Sequence, residues 1–184
     1  MGVLIGPNTL YYVIVRPKGK LREDFDFSDE KVRKPALLRP EMGERGTGDM
    51  ATTVIAITNQ KGGVGKTTTA AALLTGLHRR GAAVLGVDMD PQGSLGFSLG
   101  LDIEHCTTIY DVFRGQAEPE QAIVRTDTCD ILPSNILLSG AELEFNRPGR
   151  EFLLKTALSK VEDQYDYILP IHPYAALLLK HISS

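Results

Sequence analysis

A glycine-rich loop constrains the fold of this chain more than any other feature, because it lies between an apolar run and a helical stretch. The loop, K-G-G-V-G-K-T-T, occupies residues 61–68 and follows the apolar residues 54–57. Glycines let successive backbone N–H groups point at one anion, and the dipole of the following helix adds partial positive charge there. Strand, glycine loop and helix N-terminus in this order predict a binding site for nucleotide phosphates.

The side chains of the loop suit a phosphate-binding role. Lys66 can reach the terminal phosphates of a nucleotide, and the Thr67 hydroxyl is placed to bind Mg²⁺. The common pattern G-x-x-x-x-G-K-[ST] is not met in full, because Gln60 replaces its first glycine and a second lysine, Lys61, heads the loop. A purely structural glycine turn is disfavoured, since two lysines and three threonines accompany the glycines. The expected nucleotide-binding residues are Lys61, Gly62, Gly63, Val64, Gly65, Lys66, Thr67 and Thr68.

A second motif, D-M-D-P-Q-G at residues 88–93, follows the apolar residues 83–87. Taken alone, this run is also compatible with an ordinary strand-to-loop turn, since Asp, Pro and Gly are turn formers. In a strand–helix–strand unit, however, the carboxyl ends of adjacent parallel strands lie at the same sheet edge. We therefore expect Asp88 and Asp90 beside the phosphate loop. There they can hold metal-bound water, or orient a water for attack on the γ-phosphate.

Together, residues 61–68 and 88–93 resemble the deviant Walker A ATPases of the ParA/Soj partition type. MinD and the nitrogenase iron protein are more distant cousins, and the D-P-Q-G element favours the partition branch. The L-P-S-N run at residues 132–135 also resembles a stretch downstream of that element in partition ATPases. The resemblance covers residues 50–169, and Ser94 stands where asparagine is common in the family.

The resemblance implies a role for each matched position. Lys66 would contact the β- and γ-phosphates, Thr67 would coordinate Mg²⁺, and Asp88 would lie near the Mg²⁺ shell. Asp90 would position the attacking water, and Lys61 would reach across an ATP-sandwich dimer to the phosphates of the other protomer. Phosphoryl transfer depends mainly on positioning and charge neutralisation, so a lysine acting in trans would make hydrolysis depend on dimerisation. The catalytic residues expected on this basis are Lys61, Lys66 and Asp90, and the metal-side residues are Thr67 and Asp88.

The resemblance also implies cofactors and partners. The cofactors would be ATP and Mg²⁺, and the partners a second copy of the chain, a ParB-like DNA-binding protein and non-specific DNA. In this reading ATP drives dimerisation, the dimer binds DNA, and the partner protein stimulates slow hydrolysis in chromosome or plasmid segregation. Two alternatives stay open: a nucleotide-binding remnant without turnover, and a MinD-like membrane-cycling ATPase. The amphipathic C-terminal helix of the latter is not evident in residues 175–184.

Composition is compatible with a cytoplasmic globular domain. The chain has 184 residues, of which 42% are hydrophobic, and a formal charge of −3, which suits one α/β domain. Cys106 and Cys129 fit a reducing compartment and have no metal-ligand spacing. No apolar run approaches the roughly 18 residues that span a bilayer, and no secretory signal is evident at the N-terminus. We assign no ligand role to His105, His172 or His181.

Alternating strand and helix patterns predict an α/β fold of the P-loop NTPase type, with a mostly parallel sheet and helices on both faces. Helices are expected at residues 67–80 and 149–161. A short helix is expected after Thr107 or Thr108 and should end at Gly115. Further strands are expected at residues 129–132 and from residue 167.

Three zones are expected along the chain. Residues 1–49 would be an extension that is poorly ordered or unrelated, apart from a possible strand at 10–15, with Met50 as the natural start. Residues 50–169 would form the N-terminal part of a ParA-like ATPase domain, and residues 170–184 a divergent tail.

The third zone departs from the family pattern at its first residues. Pro170 is disfavoured in a central strand because it lacks a ladder donor. Ile171 occupies the position of the Walker B-type aspartate, so the carboxylate that holds Mg²⁺ through water is missing. The resembled proteins continue with segments that complete the sheet, supply adenine contacts and carry the DNA-binding surface. The fold is therefore expected to be incomplete at its C-terminus, as in a truncated or frame-shifted ATPase.

Overall fold

The computed structural model describes residues 52–58, 62–140 and 152–172, and the backbone alone of residues 2–6 and 9–16. These residues contain seven strands, which we number in chain order: β1 Gly2–Gly6, β2 Thr9–Arg16, β3 Thr53–Thr58, β4 Val84–Asp88, β5 Val124–Arg125, β6 Asp130–Leu132 and β7 Tyr167–His172. All belong to one sheet in the order β1-β2-β3-β7-β4-β6-β5. Strands β3, β7, β4 and β6 are parallel, and the remaining pairs are antiparallel.

The helices are α1 Lys66–His78, α2 Ser94–Ser98, α3 Ile109–Phe113, α4 Pro119–Ala122 and α5 Leu153–Leu158. Helix α1 lies within two residues of its predicted bounds, and the chain leaves it at Gly81, whose φ is +85°. Thr108, one of the two predicted caps, begins α3, and its N–H donates to Asp111 at 2.8 Å. Helix α5 ends at Leu158 rather than at the expected Val161, because the chain turns there into a 3₁₀ segment, Glu162–Gln164.

Helices cover both faces of the sheet, which confirms the predicted α/β class. On one face, Leu74 of α1 and Leu95 of α2 pack in a buried cluster with Leu169 of β7. On the other face, residues of α3, α4 and α5 pack against side chains of the same strands. Each parallel strand is thus buried on both sides, as expected for a parallel sheet.

The first residues of the chain add to this sheet. The strand expected at residues 10–15 is present as β2, which pairs antiparallel with β3 and with β1. The backbones of residues 2–6 and 9–16 continue the ladder beyond β3. The charged run at residues 18–34 lies outside the described residues.

Strand β7 runs through Pro170, although proline is disfavoured in a central strand. The Ile171 carbonyl accepts from Met89 N–H at 2.9 Å, so the backbone of Ile171 faces β4. Backbone direction alternates along a strand, and the missing N–H of Pro170 therefore faces β3. On that side the paired residues step from Val54–Ile168 to Ile57–Ile171, whereas the ladder with β4 is continuous. The proline therefore removes a hydrogen-bond donor only from the side of β7 that faces β3.

Gly86 in the middle of β4 lets α1 approach the sheet closely. A Cβ added there would lie 2.8 Å from both Leu74 Cδ1 and Ile131 Cδ1. Both side chains are fully buried, so neither can move away without disturbing the core. The close packing of α1 against the sheet matters for function because the phosphate loop leads directly into this helix.

We expect Gly86→Ala to destabilise the protein by about 1–2 kcal/mol through overpacking beneath α1. Gly76→Ala is the matched control, since Gly76 is an exposed position inside α1 with nothing within 4 Å of an added Cβ. The control should gain about 1 kcal/mol from helix propensity. Urea unfolding of both variants measures the two free energies, and a stabilised Gly86→Ala would contradict the packing argument.

Candidate phosphate-binding site

The loop between β3 and α1 curls rather than extends. Gly63 has φ +69° and Gly65 has φ +90°, both in the left-handed region that favours glycine. No heavy atom of the described residues lies within 4 Å of a Cβ added at Gly62 or Gly63, so these residues leave the space beside the loop open. Lys61, which heads the loop, lies outside the described residues. The curled backbone that the sequence predicts is thus present over residues 62–65.

The N-terminus of α1 offers its backbone donors to the loop. Gly65 is the N-cap, and its carbonyl accepts the first helical bond from Thr69 N–H at 2.8 Å. Among the described residues, no side chain caps this end, and the first turn holds no acidic residue. The N–H groups and the positive end of the helix dipole therefore favour an anion here. Lys66 and Thr67, both half-buried, are the first two residues of the same turn.

Three parallel strands end level with one another beside this loop. Ile171 of β7 pairs with Ile57 of β3 on one side and with Asp88 of β4 on the other. The sequence analysis treated β3 and β4 as adjacent, which is wrong, because β7 lies between them. With strands about 4.8 Å apart, the end of β4 lies about 10 Å from the end of β3. Asp88 is still at the edge from which the phosphate loop leaves.

Asp88 is a buried carboxylate held by backbone donors. Only 1% of the surface of this residue is exposed to solvent. Oδ1 accepts from Asp90 N–H at 3.0 Å, and Oδ2 accepts from Leu95 N–H at 2.9 Å. Burial raises the pKa of Asp88 to about 6, against the opposing effect of these hydrogen bonds. A cation nearby would favour the ionised form of this carboxylate.

Asp90 lies in the turn just beyond β4 and is less buried than Asp88. Its Oδ1 accepts from Gln92 N–H at 3.0 Å, and its carbonyl accepts from Gly93 N–H at 2.9 Å. The carboxylate is therefore tied to its own turn through one oxygen. The D-M-D-P-Q-G run therefore forms a local turn at the end of β4, as its Asp, Pro and Gly residues lead one to expect.

The two downstream motifs that the sequence analysis quoted lie against each other. Gly93 has φ +59°, and a Cβ there would lie 2.7 Å from the Ser134 carbonyl oxygen. A Cβ on Gly96 would approach Pro133 Cβ at 3.8 Å. Ser134 is fully buried, and its hydroxyl has no hydrogen-bond partner within the described part of the chain. The L-P-S-N run thus supports the loop that carries Asp90.

Sequence reasoning missed two polar residues at the same sheet edge. Thr58 and His172 are the last residues of β3 and β7, pair in register, and are both buried. Their predecessors Ile57 and Ile171 pack on the α1 side, so Thr58 and His172 face the opposite side of the sheet. Thr58 Oγ1 has no hydrogen-bond partner among the described residues. The usable signal is their position as the last residue of a strand at this edge.

The donors present are hard oxygens, which suit Mg²⁺. The Thr67 hydroxyl and the Asp88 carboxylate are the types of ligand that Mg²⁺ takes alongside phosphate oxygens. Within the described ranges, no group of three or more His, Cys, Asp or Glu side chains could hold a metal ion by itself. Ile171, at the position of the expected Walker B-type aspartate, is 2% exposed and packs in the apolar cluster beneath α1. A metal here would depend on phosphate oxygens for part of its coordination.

A glycine loop that leads into an uncapped helix, beside an acidic strand end of a parallel sheet, defines a phosphate-loop domain of the α/β class. A family model described as "AAA domain" matches residues 52–180. The chain belongs to this family, and its resemblance to the ParA/Soj-type partition ATPases within it is confirmed. None of the described helices is both long and apolar enough to cross a membrane.

Relatives and solved structures agree with this assignment. Sporulation initiation inhibitor protein Soj of Bacillus subtilis (strain 168) is 45% identical over 122 residues, 63% of this chain and 47% of Soj. A cobyrinic acid a,c-diamide synthase from Mycobacterium smegmatis, crystallised with an ATP analog and magnesium, matches with TM-score 0.65 and 44% identity over 70% of this chain and 53% of its own. A plasmid partition protein from Borrelia burgdorferi matches with TM-score 0.59 and 31% identity over 69% of this chain and 59% of its own. The chain spans about half the length of the curated relatives it matches, for example 47% of Soj.

Proposed function

We propose that this chain binds ATP with Mg²⁺ at residues 61–68 and hydrolyses it as a partition-type ATPase. The observation that carries the proposal is the curled loop with Gly63 and Gly65, which opens into the uncapped N-terminus of α1. Three phosphates need several converging donors and compensating positive charge, and this loop supplies both. The ATP analog and magnesium in the Mycobacterium smegmatis structure support the choice of ligand.

Each side chain of the site has a separate part in the proposed reaction. The first-turn N–H groups of α1 and the Lys66 ammonium bind the phosphates, and the Thr67 hydroxyl with the Asp88 carboxylate faces the metal. Mg²⁺, when bound, neutralises charge on the phosphate oxygens. Asp90 orients the water that attacks the γ-phosphorus. Positioning and charge neutralisation of this kind supply most of the catalysis of phosphoryl transfer.

Lys61 extends the proposal to a dimer. By analogy with the ParA/Soj-type ATPases, Lys61 contacts the phosphates of a second copy of the chain. ATP then brings two copies together, and hydrolysis separates them. A ParB-like DNA-binding protein and non-specific DNA are the proposed partners, acting in the cytoplasm. Support comes from the family assignment and from the Soj and plasmid partition relatives.

A second candidate is nucleotide binding without turnover. It is favoured by Ile171, which places a buried methyl-bearing side chain level with Asp88 and Ile57, where the resemblance leads one to expect a carboxylate. In that case the loop would still bind phosphates, because none of its donors depends on residue 171. Loss of a metal-side carboxylate would lower turnover more than affinity.

Calorimetric titration with ATP, with and without Mg²⁺, and phosphate release from the full chain test the proposal together. We expect saturable binding that Mg²⁺ strengthens, and slow release that Asp90→Asn lowers about 100-fold, because a misplaced reactant costs about that factor. Asp127→Asn is the matched control, since Asp127 is exposed in the turn between β5 and β6. Binding with no release supports the second candidate, and absence of binding refutes both.

A further inference from the structure

The Asp88 carboxylate holds two separate pieces of backbone. One oxygen accepts from Asp90 N–H and the other from Leu95 N–H, at 3.0 and 2.9 Å. Leu95 is the second residue of α2, whose N-cap, Gly93, has no side chain that could accept a hydrogen bond. Asp88 thus takes the place of a capping residue from a position on the preceding strand. The carboxylate joins the end of β4, the Asp90 turn and the start of α2.

Helix α2 needs such an anchor because it has only five residues. Isolated helices of this length are not stable in water, so tertiary contacts must hold it. Besides the bond to Asp88, its Leu95 side chain is buried in the same cluster as Leu74 of α1. Because Gly93 and Gly96 have no side chains, α2 can pack closely against the L-P-S-N run. Because the Asp88 carboxylate also accepts from Asp90 N–H, it links α2 to the Asp90 turn.

We propose that Asp88 is a positioning residue, whose carboxylate fixes the Asp90 turn and α2 and thereby sets where the Asp90 carboxylate lies beside the phosphate loop. Two hydrogen bonds from backbone N–H groups connect Asp88 to the Asp90 carboxylate. Asp90 N–H donates to Asp88, and Gln92 N–H donates to Asp90 Oδ1 at 3.0 Å. The consequence for turnover rests on the proposed function, whereas the anchoring of α2 does not. A carboxylate has about four lone-pair sites, so the bonds from the N–H groups of Asp90, Leu95 and Gly96 still leave room for a metal-bound water.

Amide hydrogen exchange in the absence of nucleotide and metal isolates the positioning role, because no metal ligation exists in that state. Asp88→Asn turns an acceptor oxygen into a donor NH₂ and removes the charge. We expect the amides of Asp90 and Leu95 and those of the rest of α2 to exchange about tenfold faster, and the amides of α1 to be unchanged. Asp127→Asn, the same substitution at an exposed turn, should change none of them.

Asp88→Glu provides a second variant in case Asp88→Asn fails to unfold cooperatively. It keeps the negative charge but moves the oxygens by one methylene, so the same amides should again exchange faster. If the amides of residues 90 and 95–98 exchange at the same rates in a folded variant as in the unmodified chain, the proposal is overturned.

A double-mutant cycle on phosphate release tests the effect on Asp90. We expect Asp88→Asn to lower kcat about tenfold with KM for ATP changed less than about threefold, and to add nothing in the Asp90→Asn background. If the effects of Asp88→Asn and Asp90→Asn on kcat multiply, Asp88 does not act through Asp90, and the inference is overturned. If the unmodified chain releases no phosphate, hydrolysis in the proposed function fails, and the exchange comparison decides the positioning role by itself.

Discussion

Lys66→Ala should weaken the binding of Mg·ATP about 100-fold. Lys66 is the first residue of α1, and the helix end beside it has no side-chain cap and no acidic residue in its first turn. Its ammonium would therefore be the main side-chain charge that the described loop offers to the phosphates. Hydrogen bonds to charged groups contribute about 1.5–3 kcal/mol, and about 2.8 kcal/mol corresponds to 100-fold in affinity. Titration calorimetry with ATP and Mg²⁺ measures this change directly.

Lys155→Ala is the control for the loss of one positive charge. Lys155 is an exposed residue of α5, on the sheet face opposite α1, and its removal should change ATP affinity less than about twofold because surface charges at such distances are screened. AMP gives a second comparison, since it lacks the terminal phosphates that Lys66 would contact. An equal loss of affinity for AMP and ATP in Lys66→Ala would place the lysine elsewhere than on those phosphates.

Gly93→Ala should lower the free energy of unfolding by about 3–4 kcal/mol. The left-handed conformation at Gly93, φ +59°, costs a residue with a Cβ about 1–2 kcal/mol. The added Cβ would also lie 2.7 Å from the Ser134 carbonyl oxygen and 2.5 Å from Ile103 Cδ1. Backbone oxygen cannot swing aside as a side chain can, so overpacking adds about 1–3 kcal/mol. A loss of this size is a large part of the stability of a typical domain, and urea unfolding measures it.

Gly100→Ala separates the two contributions. Gly100 also has a left-handed conformation, φ +81°, but an added Cβ there meets nothing within 4 Å. It should cost only about 1–2 kcal/mol, from the backbone alone. Equal losses in Gly93→Ala and Gly100→Ala, with unchanged m-values, would show that the contact between the D-P-Q-G and L-P-S-N runs contributes nothing to stability.

Local features were predictable because each depends on neighbouring residues. The start and end of α1 follow from Gly65 and Gly81, and the start of α3 follows from the hydroxyl of Thr108, so periodicity and capping rules place both helices within two residues. The curl of the loop also follows from its glycines. For the same reason the turn at Asp90 was foreseeable from the D-M-D-P-Q-G run alone.

The placement of β7 was not predictable from local pattern. Which strand lies between β3 and β4 depends on contacts between residues more than 70 positions apart, for example Leu85 with Ile168. The same holds for Pro170, whose tolerance depends on which neighbour its backbone faces. That direction follows from the ladder and has no signature in the sequence.

Part of the site was also beyond sequence reasoning. Asp88 was predicted as a metal-side residue from the family resemblance, but its bond to Leu95 N–H depends on how α2 folds back over β4. A signal did exist, since the helix after Gly93 has no capping side chain of its own and must find an acceptor elsewhere. For Thr58 and His172 the sequence indicates only that each ends a strand, because their pairing requires the register between β3 and β7.

The central place of β7 has a consequence for how a nascent chain acquires this architecture. In the sheet, β1-β2-β3 and β4-β6-β5 are two pieces that share no ladder with each other, so residues 167–172 must be made before the two pieces can be joined. Insertion of β7 joins the pieces and brings the glycine loop and the Asp88 end of β4 level in one step. Contacts between such distant segments slow folding. The phosphate site should therefore be assembled late, when β7 pairs with both β3 and β4.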